Sequence, residues 1–121
     1  MITLHYLQCS RSFRILWALE ELGMDYQVEY YQRLPSYAAP ESLKQIHPLG
    51  KAPILVDDEN VIVESAVILD YLQQQYDVKQ QFKPQQFKDQ LQYSYWMHYA
   101  EGSLMPLLVM TLVINNVSKH V

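Results

Sequence analysis

The sequence predicts an α/β domain of order βαβ, loop, ββα, followed by the first helix of an all-α carboxy-terminal region. Three observations carry that prediction. Residues 2–31 read as strand, amphipathic helix and strand. Gly50-Lys51-Ala52-Pro53-Ile54-Leu55-Val56-Asp57 is an apolar run opened by a proline and followed, one hairpin later, by Val63-Glu64-Ser65. Residues 104–114 are apolar nearly all round. At 121 residues, half of them hydrophobic, the chain can bury one domain core and carry an appendage.

Ile2-Thr3-Leu4-His5-Tyr6-Leu7 is short, rich in apolar and β-branched residues, and ends at a polar cluster, which predicts a first strand. From residue 13 to 22, Ile15, Leu16, Leu19 and Leu22 recur at helical spacing, and Gly23 supplies a stop. Tyr26-Gln27-Val28-Glu29-Tyr30-Tyr31 alternates with period two and makes the second strand. Strand, crossover helix and strand in that order imply parallel pairing through a right-handed connection. Residues 32–49 carry Pro35, Pro40 and Pro48 and only one short helical pattern, at 41–46. Strands at 53–56 and 61–63 are joined by so few residues that only an antiparallel hairpin fits. Ile68, Leu69, Leu72 and Tyr76 then give a core-facing helix starting at Ser65. This order of elements is the plan of the thioredoxin fold.

Residues 79–86, polar and containing Pro84, read as a linker between a domain at 1–78 and a helical segment at 87–121. Leu91, Tyr95, Leu104, Leu107 and Leu108 describe one long helix that Gly102 and Pro106 should bend. A lone helix cannot bury its own apolar stripe. The expectation is therefore a longer chain of about 200 residues, or a self-associating one.

Pro53 has no N–H for a ladder, so it sits at the start of a strand. A cis bond before it, accessible at low cost only before proline, would turn the N–H and C=O of Ala52 outward to pair with an extended peptide. Ser65 reads as a helix N-cap, where free amides and the helix dipole would meet a carboxylate. Together these residues suit a short anionic peptide.

Composition excludes other classes of function. Cys9 is the sole cysteine, so there is no internal disulfide framework and no cysteine-rich zinc site. A net charge of −4 offers no basic field for nucleic acid. No run approaches the ~18 consecutive apolar residues of a membrane span, and the amino terminus has no signal-peptide pattern. A cytoplasmic protein is expected, with neither nucleic acid nor membrane as partner. His5, His47, His98 and His120 lack ligand spacing, so no metal is expected and no organic cofactor is implied.

Tyr6-Leu7-Gln8-Cys9-Ser10-Arg11-Ser12, Ile15-Leu16-Trp17-Ala18-Leu19-Glu20-Glu21-Leu22-Gly23, His47-Pro48-Leu49-Gly50-Lys51-Ala52-Pro53 and Glu64-Ser65 together resemble the amino-terminal domain of cytosolic glutathione S-transferases, and the first carboxy-terminal helix looks like that of bacterial and fungal members. The resemblance implies that Pro53 is a cis-proline and that the Ala52 backbone pairs with the cysteinyl part of glutathione. Relatives often carry valine at the Ala52 position, but the contacts are with the backbone. Glu64 would meet the ammonium of the γ-glutamyl end, Ser65 and its amide the α-carboxylate, and Lys51 the glycyl carboxylate. Glutathione enters as co-substrate, beside a small electrophile, in a homodimer.

A group at the mouth of the first helix must favour thiolate over thiol. Cys9, Ser10 and Ser12 compete for that place. The resemblance points to Ser10, while Ser12 reads as a plain helix cap. Lowering a thiol pKa by roughly two units takes about 2.7 kcal/mol, within reach of a charge-assisted hydrogen bond plus a dipole. Cys9 is the alternative, since Cys9-Ser10-Arg11-Ser12 is a C-x-x-S sequence and glutaredoxin-like relatives form mixed disulfides there. The functions to separate are conjugation of glutathione to electrophiles, glutathione-dependent thiol exchange through Cys9, and glutathione binding without catalysis.

Overall fold

The computed structural model describes all 121 residues. Four strands, β1 (Ile2–Leu7), β2 (Tyr26–Tyr31), β3 (Ile54–Asp57) and β4 (Asn60–Val63), form one sheet of order β2-β1-β3-β4. β1 and β2 pair in parallel across the helix α1 (Ser12–Leu22), as a strand-helix-strand crossover requires. β3 runs antiparallel to both β1 and β4. The β3–β4 turn is two residues long, and Asp58 takes its left-handed position at φ 50°. The order is that of the thioredoxin-like fold expected from the sequence.

Alternation along β1 and β3 sets two faces. Leu4 pairs with Leu55 and His5 with Ile54, so the first pair shares one face and the second pair the other. Ile2, Leu4 and Leu55 pack with Ile15 and Leu19 of α1 and with Ile68 and Leu72 of α2 (Ser65–Tyr76). Each such side chain, fully withdrawn from water, contributes about 1.5–3 kcal/mol before the entropy of ordering. Leu7, Ile54 and Leu43 are buried outside that cluster. Leu43 comes from the segment expected to form a short helix, which is a 3-10 turn at Glu41–Gln45. β2 is an edge strand, so the alternation of Tyr26, Val28 and Tyr30 does not bury its face. Val28 and Tyr30 stay exposed, and Tyr30 stacks on Tyr6 at 5.7 Å.

Gly23 ends α1 as expected, at φ 65°. Its N–H donates to the Glu20 carbonyl at 3.0 Å and the Met24 N–H to that of Leu19 at 3.1 Å, the paired bonds of a Schellman motif. Two helix starts differ from expectation by one residue. Ser12 is the first residue inside α1, with Arg11 at the N-cap; Ser65 is the first inside α2, with Glu64 at the N-cap at φ 71°. Neither serine is a cap, because the residue before each already flanks the first turn.

Chain contacts divide the molecule into Met1–Lys79 and Gln80–Val121. In the second unit, α3 (Phe87–Tyr99) runs through a π-helical turn at Ala100–Leu104 into α4 (Met105–Ser118). The expected single long helix is present, and its irregular turn contains Gly102. Neither α3 nor α4 has a buried residue. Continuity through the π turn joins the apolar run at 104–114 to α3 in one helix, although no run of ~18 consecutive apolar residues is present. Phe87–Ser118, 32 residues, is long and apolar enough by length and composition to cross a membrane, a property shared by core helices of soluble proteins.

Candidate functional site

Strand register brings three separate segments to one end of the sheet. His5 pairs with Ile54, and Ile54 with Val63. Continuing those ladders, Tyr6 and Leu7 run toward Pro53 and Ala52, which run in turn toward Glu64 and Ser65. The β1–α1 turn, the start of β3 and the β4–α2 corner therefore share an edge. β2 ends at the same level, since Leu7 pairs with Tyr31.

The Ala52–Pro53 peptide bond is cis. Pro53 is buried, Ala52 half-buried and Lys51 exposed. The β1–β3 ladder begins at Ile54, which leaves the Ala52 backbone outside it. The chain reaches this bond through Gly50, whose φ is 59° and where an added Cβ would lie 2.6 Å from Lys44 Cγ. A glycine is needed there on both counts, conformation and space. The Gly50 N–H closes the preceding turn onto the His47 carbonyl at 2.9 Å.

At the β4–α2 corner Glu64 is exposed and Ser65 is buried. A glutamate at positive φ is a sparsely populated conformation held in place by its surroundings, and such outliers cluster at ligand sites. Ser65 stands at the amino end of α2, where helix amides point outward.

The β1–α1 turn separates the three candidate thiol-contacting residues. Ser12 is fully buried, and its Oγ accepts the Leu7 N–H at 3.1 Å, which ties the start of α1 to the end of β1. Ser10 is half-buried. Its Oγ lies 2.7 Å from both the Leu7 carbonyl oxygen and Ser12 Oγ, and accepts the Ser12 N–H at 3.1 Å. Cys9 is exposed at φ 49°. Of the three, burial removes Ser12 from the surface and leaves Cys9 the most accessible.

Arg33, just beyond β2, was not singled out in the sequence. Its guanidinium donates to the carbonyls of Gln8 (2.9 Å), Cys9 (3.2 Å) and Tyr37 (2.8 Å) and lies over the Tyr37 ring at 4.9 Å. No local pattern marks an arginine two of whose three carbonyl partners lie 24 and 25 residues away. Two titratable groups with shifted pKa are buried in the sheet, His5 toward the site and Asp57 at the opposite end, paired with Ile2. Burial pushes the His5 imidazole below its ordinary value, and its Nδ1 meets the Tyr31 hydroxyl at 2.9 Å. The buried Asp57 carboxylate accepts hydrogen bonds from Tyr76 and, at 2.8 Å, from Tyr71. Chiefly through the Tyr76 bond, its pKa is lowered, while that of Tyr76 is pushed up to about 12.

The family model for the glutathione S-transferase N-terminal domain matches residues 1–74. The chain belongs to the glutathione S-transferase family. Glutathione S-transferase 3 of Schizosaccharomyces pombe is 44% identical over 110 residues, a match covering 89% of this chain and 44% of that one. A crystal structure of a glutathione S-transferase from Actinobacillus pleuropneumoniae superposes with a TM-score of 0.77 at 47% identity, over 79% of this chain and 46% of that one. A theta class glutathione S-transferase from Xanthomonas axonopodis pv. citri, solved with glutathione bound, superposes with a TM-score of 0.70 at 25% identity, over 87% and 50% of the two chains. The chain spans about half the length of the curated glutathione S-transferases it matches.

Proposed function

We propose that this chain is the glutathione-binding part of a glutathione S-transferase that adds the glutathione thiolate to small, mostly apolar electrophiles. The observation that carries the reading is the cis Ala52–Pro53 bond at the same sheet end as Glu64-Ser65 and the β1–α1 turn. Glutathione has two carboxylates, one ammonium and an extended middle, so it needs a backbone edge between cations or amide dipoles. Ala52 supplies the edge for its cysteinyl residue. Ser65 and the α2 amino terminus take the γ-glutamyl carboxylate, Glu64 the ammonium, and the exposed Lys51 the glycyl carboxylate.

The sulfur then lies over the β1–α1 turn. Ser10 donates its hydroxyl hydrogen to the thiolate, giving up one of two acceptors already 2.7 Å away. The thiolate attacks the electrophilic carbon, the S–C bond forms, and the leaving group departs with the electron pair of its broken bond. The subunit works as a homodimer in the cytosol. Calorimetry with glutathione tests binding by the 121-residue chain. In the full-length subunit, Ser10→Ala is expected to cut conjugation of a chlorinated nitrobenzene about 10- to 100-fold while glutathione still binds. Unchanged turnover removes Ser10 from the reaction.

The exposure of Cys9 favours a second reading. Its thiolate would attack oxidised glutathione, forming a mixed disulfide and releasing one glutathione thiolate. Incubation with oxidised glutathione should then add roughly 305 Da to the intact mass, and Cys9→Ser should abolish the adduct. An unmodified wild-type chain rules this chemistry out.

A further inference from the structure

We infer that Arg33 is a positioning residue: its guanidinium locks the β1–α1 turn in the geometry that meets the glutathione sulfur, without touching the ligand. Two residues in this corner hold left-handed backbone conformations that non-glycine residues rarely adopt, Cys9 at φ 49° and Tyr37 at φ 69°. The carbonyls of both accept from the same guanidinium, Cys9 from Nη2 at 3.2 Å and Tyr37 from Nη1 at 2.8 Å, while Nε donates to the Gln8 carbonyl at 2.9 Å. The Arg33 backbone N–H adds a bond to Gln8 Oε1 at 3.3 Å, and the Gln8 N–H donates to the Tyr31 carbonyl at 2.9 Å.

A planar fork with five donors can hold three carbonyls at fixed angles, whereas an ammonium on a flexible stem cannot. The clamp acts on the segment from which both Cys9 and Ser10 come. It therefore matters whichever of them meets the sulfur. It also fixes a positive charge at the Cys9 carbonyl, within the turn that leads into α1, and a cation near the sulfur favours a thiolate.

The functional half of this inference rests on the glutathione reading above, so the test has two independent readouts. In the ligand-free chain, Arg33→Ala is expected to speed amide hydrogen exchange at Gln8 and Ser12 by about tenfold or more, leaving Leu4 and Leu55 in the core unchanged. Arg33→Lys keeps the charge and disturbs the fold less, and is expected to exchange as fast as Arg33→Ala. With glutathione bound, the pH midpoint of the thiolate absorbance in the ultraviolet is expected to rise by about one unit in Arg33→Ala, with affinity within about twofold of wild type.

Unchanged exchange in both variants overturns the clamp, as does full recovery by lysine, which would make the charge sufficient. A large loss of affinity with an unmoved midpoint overturns it too, by making Arg33 a ligand contact. If the wild-type chain binds no glutathione, the proposed function fails, and the exchange data still decide the clamp.

Discussion

The Ser12 hydroxyl is fully buried and takes the Leu7 N–H, so Ser12→Ala leaves a donor without its partner inside the protein. The expected loss is about 1–3 kcal/mol, read from the urea midpoint at unchanged slope. Ser10 behaves differently. Its hydroxyl is half-buried and satisfies the Ser12 N–H at the start of α1, so Ser10→Ala costs about 1 kcal/mol through the turn. That loss sits beside the effect on conjugation proposed above, and the two separate by measuring stability and turnover on the same preparation. Serines two positions apart thus hold one hydrogen-bonded knot, yet only one of them reaches toward solvent.

At the scale of the elements, the start of β3 depends on its approach. Gly50 must hold φ 59° beside the Lys44 side chain, and the atom a Cβ would strike is close to the backbone rather than at the flexible end. Gly50→Ala is expected to cost about 1–3 kcal/mol and to weaken glutathione binding, because the Ala52 backbone follows directly. Gly23 makes the control. It needs its left-handed φ but nothing lies within 4 Å of an added Cβ, so Gly23→Ala should cost only about 1 kcal/mol and leave binding unchanged. Equal losses of binding in the two variants would contradict this placement of the site.

For the whole molecule, the shifts at buried His5 and Asp57 both make acid destabilising. His5 has a pKa below its ordinary 6.5 because burial disfavours the imidazolium, so the unfolded chain takes up that proton first and stability falls as pH drops through 6.5. Asp57 lies below its ordinary 3.8 through its tyrosine hydrogen bonds. Its contribution is complete above that value and is lost as pH falls through the lower, folded one. A two-stage acid limb in urea midpoints is the expected outcome. Tyr76→Phe should lower stability at neutral pH and flatten the second stage. The helix from 87 to 118 sets a further expectation. Leu107, Leu108, Met110, Leu112, Val113, Ile114 and Val117 are all exposed. The isolated 14.3 kDa chain should therefore sediment as an oligomer and bind an apolar-surface dye. A dye-silent monomer would contradict that.

What local chemistry controls was legible in the sequence. Period-two and 3.6-residue patterns are set by neighbours along the chain, and they placed the strands, α1, α2 and the long helix. A proline opening an apolar run marked the start of β3, and Gly23 marked the end of α1. Register, burial and cross-chain hydrogen bonds belong to the tertiary structure. Only the fold determines that Ser12 points inward and Cys9 outward from the same turn, or that Glu64 rather than Ser65 flanks α2. It alone reveals that β2 is an edge strand with exposed side chains. Arg33 and Asp57 show the physical reason most plainly. Each acts through partners brought near by the sheet and the helices packed on it, and a hydrogen bond spanning 14 to 25 residues leaves no periodicity or spacing to read.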